Sequence, residues 1–177
     1  MLYGKKVVLR PIIPEDLPNY VRWLTDPEVI RFFGKYLPIN LAQEEAWYRH
    51  QNEDSTAINF AITYEGRHIG GTGFQHLNHR DRNAEVGLFI GEKSLWDQGL
   101  GQDTLATMVR YGFEQLNLHR IYLRVFAENE RGIRAYEKVG FVTEGRFRQA
   151  VWRHGCWHDI LFMSILYPEW EKHRHRE

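Results

Sequence analysis

The stretch WDQGLGQDTLATMVRYGF, residues 96–113, sets two glycines one residue apart, Gly99 and Gly101, directly ahead of a helical pattern. Leu105, Met108, Val109, Phe113 and then Leu116 recur at i, i+3 and i+4 spacing, which predicts a helix over about 101–116. The first four N–H groups of a helix have no intrahelical acceptor, and with the helix dipole they attract an anion. Glycine lets the backbone approach that anion closely and adopt positive φ. The turn running Trp96, Asp97, Gln98, Gly99, Leu100, Gly101 therefore reads as a phosphate cradle. It is not a P-loop, since no G-x-x-x-x-G-K-[ST] occurs, and a dinucleotide fingerprint would need a third glycine where Thr104 stands. A plain glycine-rich helix start explains the two-glycine spacing equally well.

The flanking segments give this turn its setting. Before it, 84–91 (AEVGLFIG) alternates as a strand, with Val86, Leu88 and Ile90 on one face and Glu85, Gly87 and Phe89 on the other. After it, 120–126 (RIYLRVF) alternates again. Strand, helix and strand in succession predict a right-handed crossover with the two strands parallel. Further out, 7–12 is a short β-rich run, and 14–26 carries Leu17, Tyr20, Val21 and Leu24 on one helical face with Pro18 in the first turn. Asn40 and Gln43 form a capping box for a second helix to about 51. Residues 57–64 and 67–77 around Glu65-Gly66 read as a hairpin. Residues 129–141 read as a short helix stopped by Gly140, and 142–151 and 157–166 as a final strand pair. The order β-α-α-β-β-β-α-β-α-β-β predicts one α/β (α+β) domain over 1–177, a mixed sheet flanked by helices, with its core at about 7–168 and a charged tail at 169–177, of which 171–177 frays.

Composition narrows the function classes. The chain has 177 residues, 23 basic and 23 acidic, which argues against a nucleic-acid or membrane-surface protein driven by bulk charge. One cysteine, Cys156, excludes an intrachain disulfide framework and fits a reducing compartment. The first residues lack the apolar core of a signal peptide, and no run approaches a membrane span. The expectation is a soluble cytoplasmic protein.

Residues 84–141, with the flanks from VVLRPI to DILFMSIL, resemble the GNAT N-acetyltransferase superfamily, in particular the branch of ribosomal-protein N-terminal acetyltransferases and spermidine acetyltransferases. That resemblance implies a sheet splayed at its centre and acetyl-CoA as co-substrate. The family's pyrophosphate loop, Q/R-x-x-G-x-G/A, matches Trp96 to Gly101, with Trp96 in place of Gln/Arg and Asp97 where glycine is usual. By resemblance, backbone N–H groups from Trp96, Asp97, Gln98, Gly99, Leu100 and Gly101 hold the CoA pyrophosphate. Leu88, Phe89 and Ile90 offer strand-edge groups to pantetheine, and one N–H there steadies the thioester oxyanion. Asp97, an acid beside a diphosphate, weakens CoA binding unless it points away or is solvated.

Tyr136 matches the tyrosine of the family segment N-x-x-x-x-x-x-Y-x-x-x-G-F, here Asn129, Tyr136, Gly140 and Phe141. A phenol of pKa about 10 is protonated at neutral pH and can donate to a departing sulfur. On residue pattern alone, Tyr136 reads as a core aromatic beside Ile133. Asn129 is a helix N-cap by position and a pantetheine amide ligand by resemblance. Glu85 is the general-base candidate, or else a solvated strand-edge carboxylate. A base matters more for an alkylamine, which costs about 4.6 kcal/mol to deprotonate at pH 7, than for an α-amine, at about 1 kcal/mol.

By resemblance, Phe32, Phe33, Tyr36, Trp47 and Tyr48 wall an acceptor pocket; on residue type alone they staple onto the core. His154, Cys156 and His158 alternate as metal ligands would on a strand, but Gly155 between them suits a hairpin turn, so no metal is assigned. The sequence thus predicts direct acetyl transfer from acetyl-CoA to a primary amine, leaning to a protein N-terminal α-amine. The alternatives are a polyamine, aminoglycoside or other small amine, and a non-catalytic acyl-CoA-binding module. A homodimer is compatible with this branch.

Overall fold

The computed structural model describes residues 1–34, 37–51 and 53–174. In chain order it contains β1 (Leu2–Tyr3), β2 (Val8–Arg10), α1 (Leu17–Leu24), α2 (Leu41–His50), β3 (Ile58–Tyr64), β4 (Arg67–Asn78) and β5 (Asn83–Ile90). Then follow α3 (Leu100–Glu114), β6 (Arg120–Phe126), α4 (Glu130–Val139), β7 (Val142–Arg153), β8 (Cys156–Leu166) and α5 (Tyr167–Arg174). The strands form one sheet in the order β1-β2-β3-β4-β5-β6-β8-β7, antiparallel at every junction except β5–β6. That parallel junction is the one made by the α3 crossover. The mixed, helix-flanked α/β architecture read from the sequence is the observed one, with β1 and α5 added at its ends.

Local chemistry explains most boundaries. The β3–β4 turn uses Glu65 (φ 50°) and Gly66 (φ 76°), and the β7–β8 turn uses His154 (φ 48°) and Gly155 (φ 78°). Two successive left-handed residues match the right-handed twist of the strands they join. The capping box of α2 is formed: the Gln43 N–H donates to Asn40 Oδ1 at 3.0 Å, and the Asn40 N–H to Gln43 Oε1 at 2.9 Å. On α1, Leu17, Tyr20 and Leu24 are buried as read, but Trp23 takes the inward place expected of Val21. Its ring covers Gly91, where a Cβ would lie 2.0 Å from the indole.

The sheet's two faces carry two apolar clusters. Val86, Leu105, Met108, Val109, Ile121 and Met163 join on the α3 face, with Leu88 and Ile90 against them; Leu17, Tyr20, Leu24 and Ala61 join on the α1 face, with Phe89 against them. The alternation along β5 therefore divides its side chains between the clusters, and each fully buried aliphatic side chain stabilises by about 1.5–3 kcal/mol. The tail departs from expectation: 167–174 is helical, because Tyr167 and Trp170 pack on Phe113 at ring distances of 5.8 and 5.3 Å.

One feature of the sheet positions the site. β5 and β6 pair only through Asn83↔Arg120, Ala84↔Ile121 and Glu85↔Tyr122. Past Glu85, β5 pairs with β4 alone and β6 with β8 alone. The two strands diverge there, leaving the β6-facing backbone edge of Val86 to Ile90 without a strand partner.

Candidate active site

The divergence opens a cleft of about 370 Å³ between the end of β5, the 95–102 turn, the start of α4 and the α1–α2 connection. Leu88, Phe89 and Ile90 form one wall, and Trp96, Asp97, Gly99, Leu100 and Gly101 form the floor of the turn. Asn129 and Tyr136 face them from α4 and its cap. Ten of the twelve residues singled out in the sequence thus share one cleft; Gln98 and Glu85 do not line it.

The turn is built to leave donors open. Gly99 is the N-cap of α3 at φ 78°, and no side chain caps that helix. The N–H groups of its first turn are therefore left for an outside acceptor. Gly101 has no conformational need to be glycine: a Cβ there meets only Leu88 and Ile90, at 3.6 and 4.0 Å. Its missing side chain instead keeps the cleft floor clear for a group approaching the backbone. These observations fit a pyrophosphate at the turn and an extended amide chain along β5.

The other loop residues brace this geometry. The Trp96 indole N–H donates to the Ile90 carbonyl at 2.8 Å, tying the turn to β5. Arg131 stacks over the same ring at 4.3 Å and lies 3.8 Å from the Asp97 carboxylate, which is 75% exposed. Asp97 is thus solvated and beside a guanidinium, so its charge opposes a diphosphate less than the sequence alone implies. Its φ is 61°. The position demands a left-handed residue, which explains why glycine is the family's habit there; aspartate is among the few others that tolerate it. The Gln98 side chain turns away to Ser94 O, while its carbonyl accepts the Lys6 ammonium at 2.8 Å.

On α4, Asn129 Oδ1 accepts the Gly132 N–H at 3.0 Å, the N-cap expected. The Tyr136 ring packs beside Phe141 at 6.2 Å, yet its hydroxyl has no protein hydrogen-bond partner among the described residues. Burial pushes its pKa up to about 12. The hydroxyl is a protonated donor facing the cleft.

Glu85 is differently placed. It is the last β5 residue paired to β6, at the vertex of the splay, and both its oxygens are held by Arg124 at 2.8 and 3.0 Å. The α1–α2 connection brings Glu28, Phe32 and Phe33 to the cleft, while Trp47 and Tyr48 pack into the α1-side cluster. Tyr36 lies outside the described residues. Lys6, Glu28 and Arg131 escaped the sequence reading: the first two reach the site across about 70 to 90 residues of chain, and Arg131 signals itself only by preceding the helical stripe.

Around RHGCWH, Cys156 Sγ lies 3.2 Å from His158 Nε2, and His158 Nδ1 lies 3.1 Å from Glu128, while Gly155 sits in the turn. No three His, Cys, Asp or Glu side chains converge as a metal-ligand set among the described residues. No described helix is long and apolar enough to cross a membrane.

Comparison with known proteins agrees with this geometry. Residues 6–142 match the family model described as "Acetyltransferase (GNAT) domain". The Escherichia coli spermidine N(1)-acetyltransferase is 31% identical over 163 residues, 90% of this chain and 86% of that one. YdaF of Bacillus subtilis, named provisionally as a ribosomal N-acetyltransferase, is 30% identical over 124 residues, 70% of this chain and 67% of that one. The crystal structure of spermidine N-acetyltransferase from Vibrio cholerae, in complex with CoA and spermine, superposes with a TM-score of 0.89 at 24% identity, over 95% of this chain and 99% of that one. Matched over most of its length by the family model and by a relative at 31% identity, the chain belongs to the GNAT acetyltransferase family.

Proposed function

We propose that this protein transfers the acetyl group of acetyl-CoA directly to a primary amine, and that its acceptor is a small alkylamine of the polyamine kind. The observation that carries the reading is the splay past Glu85, which opens an unpartnered strand edge onto an uncapped helix N-terminus and the free Tyr136 hydroxyl. The N–H groups of Leu100 and Gly101, with the α3 dipole, would take the pyrophosphate, and the edge of Leu88–Ile90 would take the pantetheine amides, with Asn129 Nδ2 a further donor. The ammonium first gives one proton to water; the neutral amine nitrogen then attacks the thioester carbon, a C–N bond forms, the C–S bond breaks to release the CoA thiolate, and the second amine proton passes to water. A β5 N–H stabilises the oxyanion. Tyr136 donates a hydrogen bond to the departing sulfur.

The acceptor class rests on the mouth of the cleft. Phe32 and Phe33 suit an alkylammonium by cation–π attraction, and the Glu28 carboxylate, which already holds Lys93 at 2.9 Å, is the acid beside them. The polyamine activity named for the E. coli relative supports the same class. We put this class ahead of a protein N-terminus, the acceptor that the provisional name of YdaF suggests. Thiol release from acetyl-CoA with spermidine, an aminoglycoside and an N-terminally free peptide tests it. We expect kcat/KM to be highest for spermidine; a peptide turned over tenfold faster would move the acceptor back to protein N-termini.

A further inference from the structure

The β7–β8 hairpin carries a second set of reactive side chains, which acetyl transfer does not use. Cys156 and His158 stand two apart on β8, so their side chains share one face. β6 pairs antiparallel with β8 through Phe126↔Ile160, and two more residues along that register bring Glu128 opposite His158. Three side chains from two segments therefore meet in a row. Cys156 Sγ lies 3.2 Å from His158 Nε2, and His158 Nδ1 lies 3.1 Å from Glu128 Oε1. The Phe126 ring packs on the imidazole between them at 5.7 Å.

Each neighbour of His158 has a part to play. A carboxylate only accepts, so Nδ1 carries its proton toward Glu128 and the neutral ring presents the Nε2 lone pair to the thiol. Once the thiol proton passes to Nε2, the ring donates to two acceptors, Glu128 Oε1 and the Arg153 carbonyl at 3.1 Å. A nucleophile, a base within hydrogen-bond reach and a third group orienting that base make up the arrangement of an activated thiol. Cys156 is exposed, so its sulfur is open to a reagent from solvent. A pocket of about 350 Å³ adjoins the row, between the hairpin and the α1–α2 connection. Arg31, Arg153 and His154 line it beside His158, with Glu128 as its one acid among the described residues, a balance that favours an anionic visitor. Phe32 lines both this pocket and the acetyl cleft, and Arg153 Nη2 donates to the Gly34 carbonyl at 2.9 Å, so hairpin and cleft mouth are joined.

We propose that Cys156 is a modification site for anionic low-molecular-weight disulfides, with His158 as its base and Glu128 as the positioning residue, and that the adduct narrows the acceptor mouth at Phe32. The thiol proton goes to His158 Nε2 and Sγ attacks one sulfur of the disulfide. The S–S bond of the reagent breaks as the new Sγ–S bond forms. The leaving thiolate takes the proton from His158. Cys156 is oxidised to a mixed disulfide, and the leaving sulfur is reduced to a thiol. The thiol chemistry stands apart from acetyl-CoA; only its effect on turnover rests on the acetyl-transfer reading above.

The test is the rate of adduct formation with oxidised glutathione, an anionic disulfide, and with cystamine, a cationic one, followed by intact mass on the full chain. Cys156 is the single cysteine, so any adduct is assigned to it. With oxidised glutathione the native protein should react about tenfold faster than the urea-unfolded chain, in which the thiol has lost its partners. The native protein should also favour oxidised glutathione over cystamine more than the unfolded chain does. H158Q should fall to the unfolded rate. E128A should slow the reaction, and E128Q, whose amide oxygen still accepts from Nδ1, should recover most of that loss. The adduct should raise the spermidine KM about fivefold with kcat and acetyl-CoA affinity unchanged, dithiothreitol should reverse this, and C156S should show neither adduct nor inhibition. A native rate no faster than the unfolded one, an H158Q rate equal to wild type, a preference for cystamine, or an adduct that leaves the spermidine KM unchanged overturns the proposal. Fast adduct formation on a protein that acetylates no amine overturns the acetyl-transfer reading, and with it the effect on the mouth, while the thiol site stands.

Discussion

Replacing Tyr136 by Phe removes one oxygen and isolates what the phenol does. That oxygen has no protein partner among the described residues, so nothing is left unsatisfied, and stability should hold within about 0.5 kcal/mol. The effect on turnover depends on which of two roles the hydroxyl plays. A thiol ionises near about 8.5, whereas burial holds the Tyr136 phenol at about 12. Full transfer of the phenol proton to a departing thiolate is then uphill by about 5 kcal/mol, at about 1.4 kcal/mol per pH unit. A hydrogen bond to the developing thiolate avoids that cost and contributes about 1.5–3 kcal/mol, as bonds to charged acceptors do. The predicted loss in kcat is therefore about 10- to 150-fold. Pre-steady-state and steady-state thiol release, with acetyl-CoA affinity measured separately, reads it out. Affinity should change less than twofold. A kcat within twofold of wild type would remove Tyr136 from the mechanism, and a loss beyond about a thousandfold would mean complete proton donation, which the acidity argument disfavours.

Three further outcomes follow from the same geometry. D97G should relieve the left-handed strain at φ 61° and raise stability by about 0.5–1 kcal/mol, measured by urea unfolding; a destabilised variant would mean that the Arg131 contact outweighs the strain. E85Q should lower kcat/KM less than threefold, because Arg124 occupies both carboxylate oxygens; a hundredfold loss confined to alkylamine acceptors would restore Glu85 as the base. Below pH 4.5 the fold should lose stability. Arg120 above all, against burial and aided by Ser164, holds Glu144 at about 2, and Asp16 is lowered because Arg10 and the Ile13 N–H outweigh its burial. A depressed carboxylate stabilises the fold above its unfolded pKa and loses that contribution as pH falls through its folded value, so the loss should run from about pH 4.5 to 2. E144Q should flatten that part of the urea-midpoint profile, and an unchanged profile would contradict the assignment.

What the sequence made legible was local. The β5–α3–β6 unit announces itself because the apolar period switches from two to 3.6 and back, with glycines at the junction. The Asn40–Gln43 box and the Glu65-Gly66 turn are set by chemistry within three residues. Contacts between distant segments were not legible. Nothing near Asp103 in sequence says that it clamps Lys5 to Val7, and nothing near Glu85 says that Arg124 closes on it across a parallel register. The helix at 167–174 was obscured by its charged composition, since Tyr167 and Trp170 reveal their role only when Phe113 is beside them. The departure at Asp97 was visible in the sequence, but its meaning required a backbone angle.

The most direct test of the central claim is a matrix of initial rates, CoA release against acetyl-CoA and spermidine concentrations together. Direct transfer at the splayed cleft predicts release that needs both substrates, saturates in each, and gives intersecting reciprocal plots with one N-acetylated amine per CoA. CoA release at the uncatalysed rate with spermidine and every other amine supplied would contradict it.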